Sequence, residues 1–181
     1  MRIPALILTT VLFASSVPAG QTPRPAPEFT IQRYQTAPLM LSQLRGKIVA
    51  LAFIYTTCSH CQDLTRNLKV IQKDYAARNV QVVTVACEEG VTNNFLGYLK
   101  AFEPNFHTGI TNEGEVKKFV QWNDKRDGIL YVPYMIFIDA AGIIRGDFDG
   151  KDGFFGEMDK NVRAQLDKLT KPAAAPAARK K

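Results

Sequence analysis

Two cysteines with two residues between them, in Cys58-Ser59-His60-Cys61, are the side chains of this chain best suited to chemistry. Thiols at this spacing at the start of a helix can close a small disulfide and reopen it. The free N–H groups and the positive dipole end of the helix favour the thiolate of the first cysteine. The flanking residues predict such a helix start. Ahead of the pair runs Ile48-Val49-Ala50-Leu51-Ala52-Phe53-Ile54-Tyr55, a continuous apolar run of the kind found in a strand covered on both faces. Behind it Leu64, Leu68, Ile71 and Tyr75 recur at helical spacing, predicting a helix from Ser59 to about Arg78 with Asn79 as its stop. A strand therefore delivers both cysteines to the first turn of a helix. The chemistry this suits is thiol–disulfide exchange, with Cys58 attacking and Cys61 resolving, or the reverse reaction, which oxidises a partner. An inert disulfide and a metal site are the other uses of C-x-x-C. Ser59 and His60 lie between the thiols and tune them; a donor or cation from His60 would make the pair more oxidising. His60 can equally be a solvated polar residue on an exposed turn.

The elements around this motif follow from pattern. Phe29–Ile31 reads as a short strand with Pro38–Met40 as its hairpin partner, and Ser42–Gly46 as a single turn closed by glycine. Val80–Cys87 is a second buried strand, so strand, helix and strand make a βαβ unit with parallel strands. Cys87 ends that strand and reads as a buried small hydrophobe, the alternative being a third redox thiol. Val91–Phe102 and Glu113–Trp122 read as helices, with Phe95, Phe102 and Trp122 as core. Pro104–Thr111 reads as loop carrying a solvated His107, and Asn123–Gly128 as a charged turn. Asp63 serves the helix dipole. After Val132-Pro133 come a strand at Tyr134–Asp139, a turn at Ala140-Ala141-Gly142, a returning strand at Ile143–Phe148 and a closing amphipathic helix at Phe154–Leu169.

Composition sets the class. With 46% hydrophobic residues and a mean hydropathy of −0.12, the 181 residues suit one globular domain with a full core. The net charge is +6, but Arg2, Lys171, Arg179, Lys180 and Lys181 lie near the ends, and without them the body carries +1. That excludes an electrostatic footprint for nucleic acid. Three cysteines are too few for a disulfide-stapled mini-domain. Arg2, the apolar Ile3–Phe13 and Val17-Pro18-Ala19 predict a signal peptide over residues 1–19, cut after Ala19. The apolar run is short of the roughly 20 residues that span a bilayer. No cysteine precedes Cys58 to accept a lipid. A periplasmic or secreted protein is expected, where a cysteine pair can persist oxidised. Residues 20–27, with three prolines, read as a linker. Residues 171–181 read as a disordered Ala/Pro/basic tail that could attract an anionic membrane surface weakly.

A strand into C-x-x-C, a βαβ crossover, and a valine–proline step into a hairpin and last helix resemble the thioredoxin fold. Leu41-Ser42-Gln43-Leu44-Arg45-Gly46-Lys47 and Phe137-Ile138-Asp139-Ala140-Ala141-Gly142 resemble the TlpA/ResA-like branch of extracytoplasmic thiol–disulfide oxidoreductases. The resemblance spans residues 28–170. It implies an α/β fold with a central mixed sheet flanked by helices and a short N-terminal β-extension. It implies Cys58 as attacking thiolate, Cys61 as resolving thiol and Pro133 as a cis residue facing the disulfide. Val132 would offer its backbone to an extended substrate. Protein thiols or disulfides and an upstream redox partner are the implied partners, with no cofactor and no metal. Three positions depart from the branch. Thr57 replaces a tryptophan before the first cysteine, and Leu64 stands where a buried glutamate is usual. The Ser59-His60 dipeptide resembles the oxidising DsbA-like motif, as does Val132. The 44 residues from 88 to 131 nevertheless leave no room for DsbA's helical insertion. The expected potential is less negative than thioredoxin's, about −270 mV.

Two other families compete. A copper chaperone of the SCO type has a similar Phe53-Ile54-Tyr55-Thr56 strand, and thiolates with a histidine suit Cu(I). It spaces its cysteines by three residues and supplies a distal histidine, whereas no histidine follows His107 here. An AhpC/TSA-type peroxidase wants threonine three residues before its reactive cysteine and a proline further upstream. Thr56 and Thr57 lie at other offsets, and neither Phe53 nor Ile54 is proline.

Overall fold

The structure, a computed structural model, describes residues 21–170; the predicted signal peptide and tail lie outside the described residues. In order come β1 (Arg24–Pro25), β2 (Thr30–Ile31), β3 (Leu39–Met40), a 3-10 turn (Leu41–Leu44) and β4 (Ile48–Ile54). Then follow α1 (Ser59–Tyr75), β5 (Val80–Ala86), α2 (Val91–Phe102), β6 (His107–Ile110), α3 (Glu113–Val120) and α4 (Asp124–Asp127). The hairpin β7 (Tyr134–Ile138) and β8 (Ile143–Phe148) leads through a 3-10 turn to α5 (Met158–Thr170).

Strands β1-β8-β7-β4-β5-β6 form one mixed sheet, in which β4, β5 and β6 are parallel and the others antiparallel to their neighbours. All seven residues of β4 are buried, which is why the sequence there is continuously apolar instead of alternating. Their side chains split by parity. Val49, Leu51 and Phe53 join the cluster with β2, β3 and α3. Ile48, Ala50, Ala52 and Ile54 join the cluster under α1, α2 and α5. The small Ala50 and Ala52 leave room for Leu64, Leu68 and Ile71 of α1 in that second layer. Asn79, at φ 59°, takes the left-handed conformation that ends the α1 segment and turns the chain into β5.

Two segments differ from the sequence reading. Pro104–Thr111 is not all loop: His107–Ile110 is an edge strand parallel to β5. His-Thr-Gly-Ile has no apolar alternation to announce it. Gly109 is there because a Cβ would lie 2.4 Å from Ile31 Cγ2 and 2.5 Å from the Gln32 carbonyl, so only glycine admits the β2 segment against β6. Within the expected linker, residues 21–27 are not free of the sheet either. Arg24–Pro25 pairs with Ile143–Ile144 as the other edge, a position that tolerates proline's missing N–H.

Arg24 holds that edge. It is only 2% exposed, and its guanidinium pairs with the carboxylate of Asp147 in β8, whose side chain is shut off from solvent. Asp147 also accepts the hydroxyl of Tyr134 in β7, and Arg24 Nη1 donates to the Gln21 carbonyl at 2.8 Å. A buried charge is tolerable only with its partner, and removing one partner costs about 3–5 kcal/mol. Asp147→Ala should therefore lower stability by about that amount, read from the urea midpoint at unchanged m-value. Arg24→Met leaves the Asp147 carboxylate buried without its partner and should cost a similar amount, whereas the double variant Arg24→Met/Asp147→Leu, which buries no charge, should cost less than either single one.

Candidate active site

The site forms on the side of the sheet where β4 and β5 end and β7 begins. Phe53 pairs with Tyr134 and Ile54 with Ala86, so the chain leaving β4 faces Pro133 on one flank and Cys87-Glu88 on the other. The Val132–Pro133 peptide is cis, as the resemblance implies. Val132 and Cys58 both pack against the cluster under α1.

Cys58 is the N-cap of α1, with extended backbone, and is half-buried. Its Sγ accepts the backbone N–H of Cys61 at 3.4 Å, and its carbonyl accepts the first helical bond, from Gln62, at 3.0 Å. The sulfur thus does the work a serine or aspartate oxygen does at most helix starts. Cys61 is fully buried one turn in. Burial above all, and then a hydrogen bond to Cys58, pushes the Cys61 thiol far above the usual cysteine range; a Tyr55 backbone hydrogen bond works in the other direction. The pair is therefore asymmetric: one accessible sulfur at a helix terminus and one buried proton-holding sulfur behind it.

The turn between β4 and α1 is tied from two sides. Gln62 Nε2 donates to the Thr56 carbonyl at 2.9 Å, and Thr56 N–H donates to Glu88 Oε1 at 2.9 Å, joined there by the Thr56 hydroxyl. Glu88 Oε2 is shielded from solvent and has no hydrogen-bond partner among the described residues. Under the turn, Thr65 Oγ1 donates to the Cys61 carbonyl at 2.9 Å and lies 2.8 Å from the Tyr98 hydroxyl. Glu88, Thr65 and Tyr98 escaped the sequence reading. Only the position of Glu88, just past the carboxyl end of a parallel strand, was a signal, because open α/β sheets gather function there.

The other expected residues divide. Ser59 and His60 are exposed on the first turn. Asp63 lies in the second turn, paired with Arg66 at 2.7 Å, so its charge is shared with a neighbour instead of serving the helix end alone. His107 is a half-buried strand residue, not a solvated loop residue, and its pKa is lowered by burial and by Arg33 and Lys47. Cys87 lies in the cluster on the α3 side, whereas Cys61 lies in the one under α1, so the third thiol is on the opposite face of the sheet. Burial, with Glu88 and Glu113 nearby, pushes it up to about 12. Among the described residues no three His, Cys, Asp or Glu side chains are placed to hold a metal ion.

Residues 23–147 match the AhpC/TSA family, a span that includes both cysteines of the motif and Pro133. The chain belongs to the AhpC/TSA family. In this member Tyr55 stands three residues before Cys58. No curated protein matches the chain. Among solved structures, a thiol:disulfide interchange protein of the thioredoxin family from Chlorobium tepidum is similar at TM-score 0.64 and 26% identity, over 82% of this chain and 99% of that one. A thiol:disulfide interchange protein from a Bacteroides species gives TM-score 0.65 at 17% identity, over 84% and 92%. A secreted Mycobacterium tuberculosis disulfide oxidoreductase homologous to E. coli DsbE gives 0.56 at 19%, over 75% and 95%. The fold is thioredoxin-like: a central mixed sheet flanked by helices, with a short β-extension at the N-terminus.

Two outcomes follow from the three thiol environments. A thiol reagent at neutral pH should label Cys58 rapidly and Cys61 and Cys87 only after unfolding, as peptide mapping would read. Folding also raises the proton affinity of Cys87 from about 9 to about 12. Its contribution to the stability of the reduced protein is then full below about pH 9 and lost as pH rises towards 12. In urea melts, Cys87→Ala should make that alkaline decline shallower.

Proposed function

We propose that the protein is an extracytoplasmic thiol–disulfide oxidoreductase that exchanges the Cys58–Cys61 pair with protein partners. The observation that carries this reading is the pairing of a half-buried helix-capping sulfur with a buried cysteine whose backbone N–H it accepts, at the end of the sheet that also carries a cis proline. The Cys58 thiolate attacks one sulfur of a partner disulfide, and the other partner sulfur leaves and takes up a proton. Cys61 then gives up its proton and attacks Cys58 Sγ; the mixed disulfide breaks, and the second partner sulfur leaves as a thiol. The partner gains two electrons and the Cys58–Cys61 pair loses them. The reverse sequence oxidises a dithiol partner. Val132 and Pro133 would bind the extended partner strand, and Ser59 and His60 would tune the pair from the solvent side. The predicted leader, and the secreted DsbE homologue among the structural neighbours, support work outside the cytosol.

Family membership favours one second reading, in which Cys58 reduces a peroxide. The absence of threonine three residues before Cys58 weighs against it. The test is trapping. Cys61→Ala should accumulate mixed disulfides on Cys58 with extracytoplasmic proteins, and Cys58→Ala should accumulate none. The wild-type protein should reduce insulin and equilibrate with glutathione at a potential less negative than about −270 mV. Failure to trap any Cys58 adduct, with rapid peroxide consumption that needs Cys58 alone, would replace the first reading by the second.

A further inference from the structure

Tyr98, only 3% exposed, puts a hydroxyl into the layer under α1, where Thr65 and Thr84 are also buried. That hydroxyl lies 2.8 Å from Thr65 Oγ1, and Thr65 donates onward to the carbonyl of Cys61 at 2.9 Å. Thr84, fully buried on β5, lies near the same phenol on the sheet side. Thr84 in turn donates to Thr108 on β6 at 3.3 Å. Because Thr65 gives its proton to the Cys61 carbonyl, the phenol donates to Thr65, and one tyrosine on α2 is thereby tied to the first turn of α1. Phe at this position would fill the space without the hydroxyl, and a core without that need is built from apolar side chains alone. Burial raises the Tyr98 pKa, so the group is a neutral phenol at any working pH.

We propose that Tyr98 is a positioning residue for the resolving step. Through Thr65 it fixes the Cys61 carbonyl, and with it the turn that holds Cys61 Sγ against Cys58 Sγ. The inference rests on the oxidoreductase reading above and adds to it the group that aligns the second thiol. The chemistry is unchanged: the Cys61 thiolate attacks Cys58 Sγ, the bond between Cys58 and the partner breaks, and the leaving sulfur takes the electron pair and a proton. Around the attacking sulfur stand Cys58 at the N-cap of α1, Tyr55 just after β4 and the Tyr98 phenol of α2, with the Cys87 thiol, just after β5, acting from the opposite face of the sheet. Glu88 adds its charge on the Tyr98 side. In this set Cys58 takes the Cys61 N–H directly, and Tyr98 reaches the Cys61 carbonyl through Thr65.

The two thiol steps can be read apart with dithiobis-nitrobenzoate, an aryl disulfide. Attack by Cys58 releases one coloured thiolate, and resolution by Cys61 releases the second. Tyr98→Phe should leave the first release unchanged and slow the second about five- to tenfold, the size of one lost hydrogen bond. Thr65→Val should slow the second release to a similar degree. The double variant should be little slower than either single one, because both break the same link. Urea midpoints of each variant separate lost folding from lost alignment. Equal second-phase rates in wild type and Tyr98→Phe overturn the proposal, as do single effects that add fully in the double variant. A wild-type protein that releases only one equivalent would instead defeat the oxidoreductase reading itself.

Discussion

The structure depends on the complete burial of β4. A strand with no solvent face can exist only if both of its edges are hydrogen-bonded and both of its faces are covered. Parallel β5 and antiparallel β7 supply the edges, and the α1 layer and the β2–β3–α3 layer supply the faces. Once β4 is fixed on four sides, its end is fixed as well. The turn at 55–57 then has one route out, and Cys58 emerges where helix α1 must begin. The register that pairs Phe53 with Tyr134 also brings Val132-Pro133 to this end of the sheet. The site is thus a consequence of how a central strand is enclosed.

Polar groups within this core do specific jobs. Arg24 and Asp147 cost desolvation, and their pairing anchors the first strand to β8 while holding the Tyr134 hydroxyl at the residue after Pro133. On the other face, Glu88 holds the Thr56 backbone and Thr65 holds the Cys61 carbonyl, so the loop and the first turn beside the thiols are each pinned by a side chain. A buried hydrogen-bonded group loses more when its partner is removed than the pair gains in forming, which makes these contacts stiff. Stiffness suits a dithiol, because closing a disulfide tolerates little error in the distance and dihedral of its sulfurs.

The three cysteines show how environment separates chemically identical groups. Cys58 sits at a helix terminus with its sulfur within reach of solvent. Cys61 is enclosed and keeps its proton. Cys87 is as enclosed as Cys61 but faces α3, with Glu88 and Glu113 nearby to disfavour its thiolate further. Burial, charge and the side of the sheet, not residue type, divide them into one accessible sulfur, one buried sulfur behind it, and one thiol packed in the opposite layer.

The sequence by itself determined the elements whose signals are local. The apolar run of β4, the helical stripe of α1, the crossover to β5, the range Val91–Phe102 and the hairpin after Pro133 could all be read, because each is written in the period of its own residues. So was the placing of Cys58 and Cys61 at a helix start. Only the tertiary structure decided β1 and β6, since two or four residues without alternation become strands solely because a neighbouring edge offers them partners. It decided that Arg24 is buried, because its partner Asp147 lies 123 residues away. It also decided which face of the sheet Cys87 occupies and that Glu88, Thr65 and Tyr98 meet around the turn. Those contacts join separate elements, and no period along one element encodes where another will lie.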